Sequence, residues 1–158
     1  MLIGSINGLL VYYISSAFLR WIEELPAANW ILLAVADDAA QVAAGVLATC
    51  LQSNPSGICC AGNYASVLED CFDMEIVLKS LQWEEKHQQP FDFSLAPVTT
   101  ADVALDEALW YAATLAPSMA NEAIDMVVCL DLTLRHQKRI TELVSLLNNG
   151  WFPPESEI

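Results

Sequence analysis

The amino-acid sequence predicts an all-α protein, a bundle of about five helices with an Ala-rich central helix. Pro and Gly residues separate the chain into long segments, apolar side chains recur in these segments at three-to-four spacing, and one segment carries many alanines. At 158 residues the chain is long enough for one domain and short for two. We therefore expect a single helical domain over residues 1–158.

The first two predicted helices occupy residues 5–24 and 27–52. The first has its apolar residues along one broad face and stops near Pro26. The second is the Ala-rich helix, whose small side chains would let neighbouring helices approach closely. Asp37 and Asp38 fall in its middle, so at least one of them should lie at the edge of the core and need a donor or a cation.

The uncharged residues 1–19 allow a second interpretation, because a helix of that length spans about 28 Å, close to the thickness of a bilayer core. Glycine, serine and asparagine residues interrupt this stretch, and no basic residue precedes its apolar part. We favour a buried first helix and keep a membrane anchor as the alternative.

The third predicted helix occupies residues 63–86, and an extended connection follows at residues 87–97. The fourth and fifth predicted helices occupy residues 99–117 and 119–148, and residues 152–158 are predicted to be a fraying tail. Prolines exclude a regular helix from the connection. Thr99 and Asp102 have the spacing of a capping box at the start of the fourth helix. The Asn149-Gly150 pair is a signal for the end of the fifth.

Charge restricts the partners that the protein can have. The chain carries 20 acidic and 6 basic side chains, a formal net charge of −14. This charge repels DNA and RNA, whose binding depends on Lys and Arg, so we expect no nucleic-acid partner. A basic protein would be attracted and steered to the surface. The alternative is that the charge only keeps an Ala- and Leu-rich protein soluble.

Cysteine usage indicates a reducing compartment. The spacing of Cys50, Cys59, Cys60, Cys71 and Cys129 matches no zinc-binding pattern, and only two histidines accompany them. The odd count and the lack of a recognisable signal peptide favour a cytoplasmic protein in which thiols are small buried hydrophobes. A bridge from Cys50 to Cys59 or Cys60 stays open in an oxidising setting. The sequence predicts no metal and no cofactor.

The first candidate for partner binding is an acidic group next to a tryptophan. Asp102 and Asp106 are predicted one turn apart on the fourth helix, with Glu107 beside them and Trp110 one turn further on. Carboxylates would steer a basic partner and the tryptophan would anchor it. The competing interpretation, which we favour, is that Asp102 caps the helix, Asp106 is solvated and Trp110 packs under the proline-rich connection at residues 87–97.

The second candidate is the acidic run on the third helix, Glu69, Asp70 and Asp73, followed by Glu75. Such a run could bind a hard cation, imitate phosphates or meet a basic partner. The acidic run itself contains no Glu-x-x-His pair of the kind that helical di-metal sites use, so we expect no metal here. A solvated acidic face is the competing interpretation, and the favoured one.

The third candidate is the basic stretch from Arg135 to Arg139, which contains His136 and Lys138 and would make the middle of the fifth helix polar all round. One interpretation is an anion or substrate pocket. We favour salt bridges to carboxylates on neighbouring helices.

No nucleophile motif, phosphate-binding loop or dinucleotide fingerprint is present, which argues against an enzyme without excluding one. The hypothesis is an acidic protein-binding domain that binds and neutralises a basic protein, for example an immunity protein against a toxin domain. Its partner-binding residues would be Glu69, Asp70, Asp73, Asp102, Asp106, Glu107 and Trp110. The alternatives are a self-associating helical module, which would form a homodimer, or a membrane-associated protein.

Overall fold

The prediction of an all-α bundle is wrong, because the chain folds as an α/β protein around a six-stranded mixed sheet. The structure, a computed structural model, describes residues 1–154. Part of the predicted fraying tail, residues 155–158, lies outside the described residues. The strands are β1 (Leu2–Ile6), β2 (Leu9–Ser15), β3 (Trp30–Val35), β4 (Gly57–Ala61), β5 (Val98–Asp102) and β6 (Met126–Asp131).

The sheet has the strand order β1-β2-β6-β3-β4-β5. Only β1 pairs antiparallel, and the other five strands are parallel to one another. Every residue of β3 is buried, because this central strand is covered on both faces. Such strands appear in a sequence as continuous apolar runs without alternation, and a short run of this kind resembles a buried helix.

Helices cover both faces of the sheet. They are α1 (Val46–Gln52), α2 (Ala65–His87), α3 (Leu105–Met119) and α4 (Gln137–Asn148). One core lies between the sheet and α1 with α2, and it contains Trp30, Leu68 and Phe72. The other lies between the sheet and α3 with α4, and it contains Leu109 and Ile140. Because each face is covered, the large apolar fraction of this chain is used in two cores.

The first predicted helix is instead the β1–β2 hairpin, followed by a short 3₁₀ helix (Trp21–Glu24). Its turn is Asn7-Gly8, with φ angles of 50° and 88°. Positive φ at both turn positions is the geometry that Asn-Gly favours between antiparallel strands. No helix among the described residues is both long enough and apolar enough to cross a membrane.

The second predicted helix is also wrong, since residues 27–52 form β3, a loop with a 3₁₀ turn (Ala39–Gln41) and α1. Ala34 and Ala36 pack under the helices, whereas Ala39 and Ala40 are exposed in the loop. The alanines therefore do not belong to one central helix.

The later elements mix confirmed and wrong predictions. The third predicted helix is confirmed as α2, and the 87–97 connection contains only a 3₁₀ turn (Phe93–Leu95). The predicted capping box lies in β5, so the fourth helix starts later, and it continues through Pro117. The fifth predicted helix is instead β6 and α4, joined by a polar loop, and this loop explains the gap in the apolar pattern. The prediction that the last helix ends at Asn149-Gly150 is confirmed, because α4 ends at Asn148.

Candidate functional site

The edge strand β5 lies under the acidic side of α2. Thr99 on this strand donates a hydrogen bond from Oγ1 to Asp73 Oδ1 at 2.6 Å. Asp70 is exposed three residues before Asp73 on the same side of α2, and Glu69 is half-buried. Burial raises the pKa of Glu69, and the charges of Asp73 and Asp70 raise it further. The neighbouring carboxylates therefore disfavour the charged form of Glu69.

A second acidic group lies where β5 ends and α3 begins. Asp102 is the last residue of β5, and its Oδ1 accepts the backbone N–H of Ala104 at 3.0 Å. Asp106 and Glu107 lie in the first turn of α3, where the helix dipole favours negative charge. The prediction that Asp102 and Asp106 share a helix is wrong, because Asp102 belongs to the strand. The expectation that Asp102 caps the helix is also wrong, because the N-cap of α3 is Ala104, which makes no side-chain capping hydrogen bond.

These two groups converge on one edge of the sheet. Thr99 contacts the α2 group and Asp102 belongs to the α3 group, and the two residues are about 10 Å apart along β5. We call this surface the acidic β5 surface, and it consists of Glu69, Asp70, Asp73, Asp102, Asp106, Glu107 and Trp110. The residues come from α2 and α3, which lie on opposite faces of the sheet, and from β5 between them, so a molecule that contacts all of them would cover the edge formed by β5.

A cleft of about 420 Å³ opens on the α3 side of this surface. Trp110 is half-buried and packs against the core below it. We call this space the Trp110 cleft. Its described lining consists of Asp102, Glu107, Trp110, Tyr111, Phe152, Pro153 and Pro154. The residues after α4 were predicted only as a fraying tail, so sequence reasoning missed the contribution of Phe152.

The centre of the sheet carries a buried carboxylate at its carboxyl edge. Asp131, fully buried at the end of β6, accepts four hydrogen bonds. Thr133 donates from its backbone N–H and its Oγ1 at 2.9 and 2.6 Å, Tyr13 donates from its hydroxyl at 2.7 Å, and His136 donates from its backbone N–H at 3.0 Å. Burial and the bond to Asp131 raise the pKa of Tyr13 above its usual range. The network fixes the loop between β6 and α4.

An acid–histidine pair joins this loop to the one after β3. His136 Nε2 lies 3.1 Å from Asp37 Oδ2, and Asp37 Oδ1 accepts the backbone N–H of Asn63 at 3.1 Å. Partial burial works to raise the pKa of Asp37, but the hydrogen bond from Asn63 and the contact with His136 outweigh it and hold the pKa below its usual value. The expectation that Asp37 or Asp38 needs a donor therefore holds for Asp37, although neither residue is helical.

This pair occupies a position with a known use in α/β sheets. The chain passes from β5 at one edge to β6 on the other side of β3, so β3 and β6 flank the point where the strand order reverses. Ligands of open α/β sheets commonly bind outside the carboxyl ends of such strands. Here Asp37, His136 and the loop on Asp131 fill that position, and the described side chains include no group of three or more His, Cys, Asp or Glu that could hold a metal.

The basic stretch does not form the predicted salt bridges to neighbouring helices. Among the described residues, His136 pairs with Asp37 in a loop, and Arg139 lies 3.7 Å from Glu142 on its own helix. The prediction that the whole stretch lies inside a helix is wrong, because Arg135 and His136 precede α4 and Gln137 begins it.

The cysteines are free thiols, and all except Cys71 are buried. Burial raises the pKa of Cys50 to about 12 and that of Cys59 to about 11. Burial likewise raises the pKa of Cys60 and Cys129. Since the thiolate is the nucleophile, these four residues are suited to packing rather than to catalysis.

A protein family described as a domain of unknown function, DUF7684, matches residues 11–149. The match begins in β2 and ends just after α4, so it contains most of β2, the strands β3 to β6 and all four helices. The chain belongs to the DUF7684 family. The DUF7684 match includes every residue of the acidic β5 surface, and Phe152 lies beyond it. No curated protein and no solved structure matches the chain.

Proposed function

We propose that the protein is an acidic protein-binding domain that captures a basic protein through the acidic β5 surface. The observation that supports this proposal most directly is the convergence of two acidic groups, from α2 and from the start of α3, on the sheet edge formed by β5. Residues that are far apart in the sequence thus place carboxylates on both sides of β5, with an aromatic side chain beside Asp102.

The electrostatics of this surface favour a basic partner. The ion pairs among the described residues are Arg20–Glu23, His136–Asp37 and Arg139–Glu142, and none of them neutralises Glu69, Asp70, Asp73, Asp102 or Asp106. Mutual repulsion at such a surface is relieved when a cationic side chain approaches, and the same field accelerates the encounter. Trp110 adds apolar area at the site, and tryptophan is enriched among the residues that dominate binding energy.

An immunity protein that neutralises a basic toxin domain is the most concrete form of this proposal. A small acidic chain that covers a basic surface is suited to that task, because charge complementarity raises the association rate and disfavours wrong partners. The cytoplasmic location expected from the sequence agrees with such a role, and it is part of the same proposal.

Charge reversal on both sides of β5 tests the proposal. Immobilised protein would be exposed to native cell extract at low and at high salt, and the bound proteins would be identified by mass spectrometry. We expect one basic protein to bind to the natural chain at low salt and to be lost from a variant carrying Asp70→Lys and Asp106→Lys, because screening and charge reversal both remove the attraction.

The matched control carries Glu85→Lys and Asp125→Lys, which change the net charge equally at exposed residues outside the acidic β5 surface. Glu85 lies about 22 Å along α2 from Asp70, beyond the screening length at physiological salt. Retention of the same protein by all three chains would contradict the proposal, since binding would then not depend on this surface.

Self-association is a second candidate, favoured by a different surface. Leu19 is 95% exposed, and Phe18 and Ile22 beside it are about half exposed. All three lie within five positions of the chain, and a contiguous exposed apolar patch marks an interaction site. A homodimer through this loop predicts a doubled mass by light scattering that returns to the monomer mass in Leu19→Asp; a monomer in both chains would contradict it.

A further inference from the structure

The Trp110 cleft differs from the rest of the acidic β5 surface because it combines aromatic rings with carboxylates in one concave space. Its volume of about 420 Å³ falls within the roughly 300–1,000 Å³ of small-ligand pockets. Asp102 and Glu107 lie at the strand end and the helix start, Trp110 and Tyr111 lie on α3, and Phe152 lies on the segment after α4.

The local structure explains how the rings are placed. Trp110 and Tyr111 are half-buried and pack against the core, which holds them at the cleft. Trp151 also packs against the core, and its backbone N–H donates to the carbonyl oxygen of Leu146 at 3.1 Å. Because Trp151 is held in this way, the next residue, Phe152, lies at the cleft, where 68% of its surface is exposed. Pro153 and Pro154 follow and restrict the backbone beyond it.

The cleft is suited to a cation. Asp102 uses Oδ1 for the backbone of Ala104, and its Oδ2 makes no hydrogen bond with the described residues. None of the described lining residues is a lysine, arginine or histidine. A cation placed here would meet a carboxylate oxygen and the faces of aromatic rings, and both interactions strengthen when water is excluded.

We propose that the Trp110 cleft binds the side chain of an arginine from the basic partner. A guanidinium is planar, so it stacks on an aromatic ring while its N–H groups reach a carboxylate, whereas an ammonium is a compact and strongly hydrated point charge. The net charge of −14 and the acidic β5 surface around the cleft supply the charge complementarity. This inference rests on the proposed function, and it names the contact that anchors the partner.

A peptide titration tests the cleft without the natural partner. The probe is the tripeptide Gly-Arg-Gly with both ends blocked, compared with peptides in which lysine or citrulline replaces arginine. Binding is followed through the NMR signal of the Trp110 indole N–H in the full chain. We expect a saturable shift with the arginine peptide, weaker binding of the lysine peptide and no shift with citrulline, which keeps the shape and lacks the charge.

Two variants locate the binding. Phe152→Ala and Asp102→Asn should each weaken arginine-peptide binding about tenfold, which corresponds to the loss of one well-formed contact. Phe93→Ala is the matched control, because Phe93 is 55% exposed and lies outside the cleft. An unshifted Trp110 signal, equal binding of the three peptides, or equal loss in the control would overturn the arginine assignment.

The two proposals fail separately. Partner capture that is lost in the Asp70→Lys and Asp106→Lys variant and fully retained in Phe152→Ala would overturn the cleft proposal and leave the proposed function standing. Partner capture that ignores charge reversal would overturn the proposed function, and the peptide titration would still decide the chemistry of the cleft.

Discussion

At the scale of single residues, Asp131 is the carboxylate on which the geometry of the β6–α4 loop depends. Its two oxygens accept four hydrogen bonds, and the loop they hold includes Leu134 at a φ of 63°. A leucine rarely adopts this left-handed conformation, so surrounding contacts must enforce it.

Replacement of Asp131 by alanine should therefore be severe. We expect Asp131→Ala to lower the free energy of unfolding by about 3 kcal/mol or more, because buried donors on Tyr13, Thr133 and His136 lose their acceptor. Tyr13→Phe removes one of the four bonds and should cost about 1 kcal/mol. Urea unfolding of the three chains measures both values. A loss in Asp131→Ala no larger than that in Tyr13→Phe would show that the network does not act as described.

Asp37 makes the stability depend on pH. Because the pKa of Asp37 is lower in the folded protein than in the unfolded chain, its ionised form contributes stability above the unfolded pKa, and this contribution is lost as the pH falls through the folded pKa. Asp37→Asn should lower the free energy of unfolding by about 1–2 kcal/mol at pH 7, and the difference from the natural chain should shrink toward pH 3. Urea unfolding at both pH values measures this difference in the free energy of unfolding. The same difference at both pH values would contradict the role given to Asp37.

At the scale of elements, the loop after β4 requires a glycine. Gly62 has a φ of 95°, and a Cβ there would overlap the carbonyl oxygen of Ala36 and crowd Asp37. Gly45 has a φ of 84° with open space around it. Both glycines have a positive φ, which other residues rarely adopt, and they differ in the space that a Cβ would meet. They therefore form a matched pair.

We expect Gly62→Ala to destabilise the protein by more than about 3 kcal/mol and Gly45→Ala by about 1 kcal/mol, since only the first adds a steric clash to the cost of positive φ. Thermal and urea unfolding of both variants measures the difference. Equal destabilisation would mean that the loop after β4 can move away from β3.

The elements also show how far the sequence could be interpreted. The long helix α2 and the proline-rich connection after it were predictable, because a long segment without Gly or Pro favours a helix and prolines exclude one, and both effects are local. The buried strands β3, β4 and β6 were not, since short apolar runs covered on both faces carry no alternation. The Asn7-Gly8 pair was a local hairpin signal that the helical interpretation overlooked.

The candidate site was predictable only in its parts. The acidic residues and Trp110 were identified from their spacing, but the approach of Asp73 to Thr99 depends on α2 packing over β5, which no local pattern reports. Phe152 lies at the Trp110 cleft and Asp37 contacts His136 only because the fold brings together segments that are distant in the sequence. These contacts therefore depend on the tertiary fold as well.

At the scale of the whole molecule, a net charge of −14 means that the surface charges that would attract a basic partner also repel one another in the folded protein. Like charges on a surface destabilise the compact state, and functional surfaces keep such groups in spite of that effect. Asp70 is the clearest example, because it is exposed and lies beside Glu69 and Asp73.

Asp70→Lys should therefore leave the free energy of unfolding unchanged or raise it by up to about 0.5 kcal/mol, while it weakens partner binding. The reason is that the substitution replaces a repulsion by an attraction within α2. Thermal unfolding at low salt, with Glu85→Lys as the control, measures the effect. A clear loss of stability in Asp70→Lys alone would mean that this residue is structural.

The decisive measurement is the rate at which the captured partner associates with the protein as a function of salt concentration. We expect fast association at low salt that slows steeply as salt is added. We expect a much slower rate with a flatter dependence for the chain with Asp70→Lys and Asp106→Lys, and near-natural behaviour for the control with Glu85→Lys and Asp125→Lys. The same steep dependence in all three chains would contradict the proposed function, because the acidic β5 surface would then not be where the partner binds.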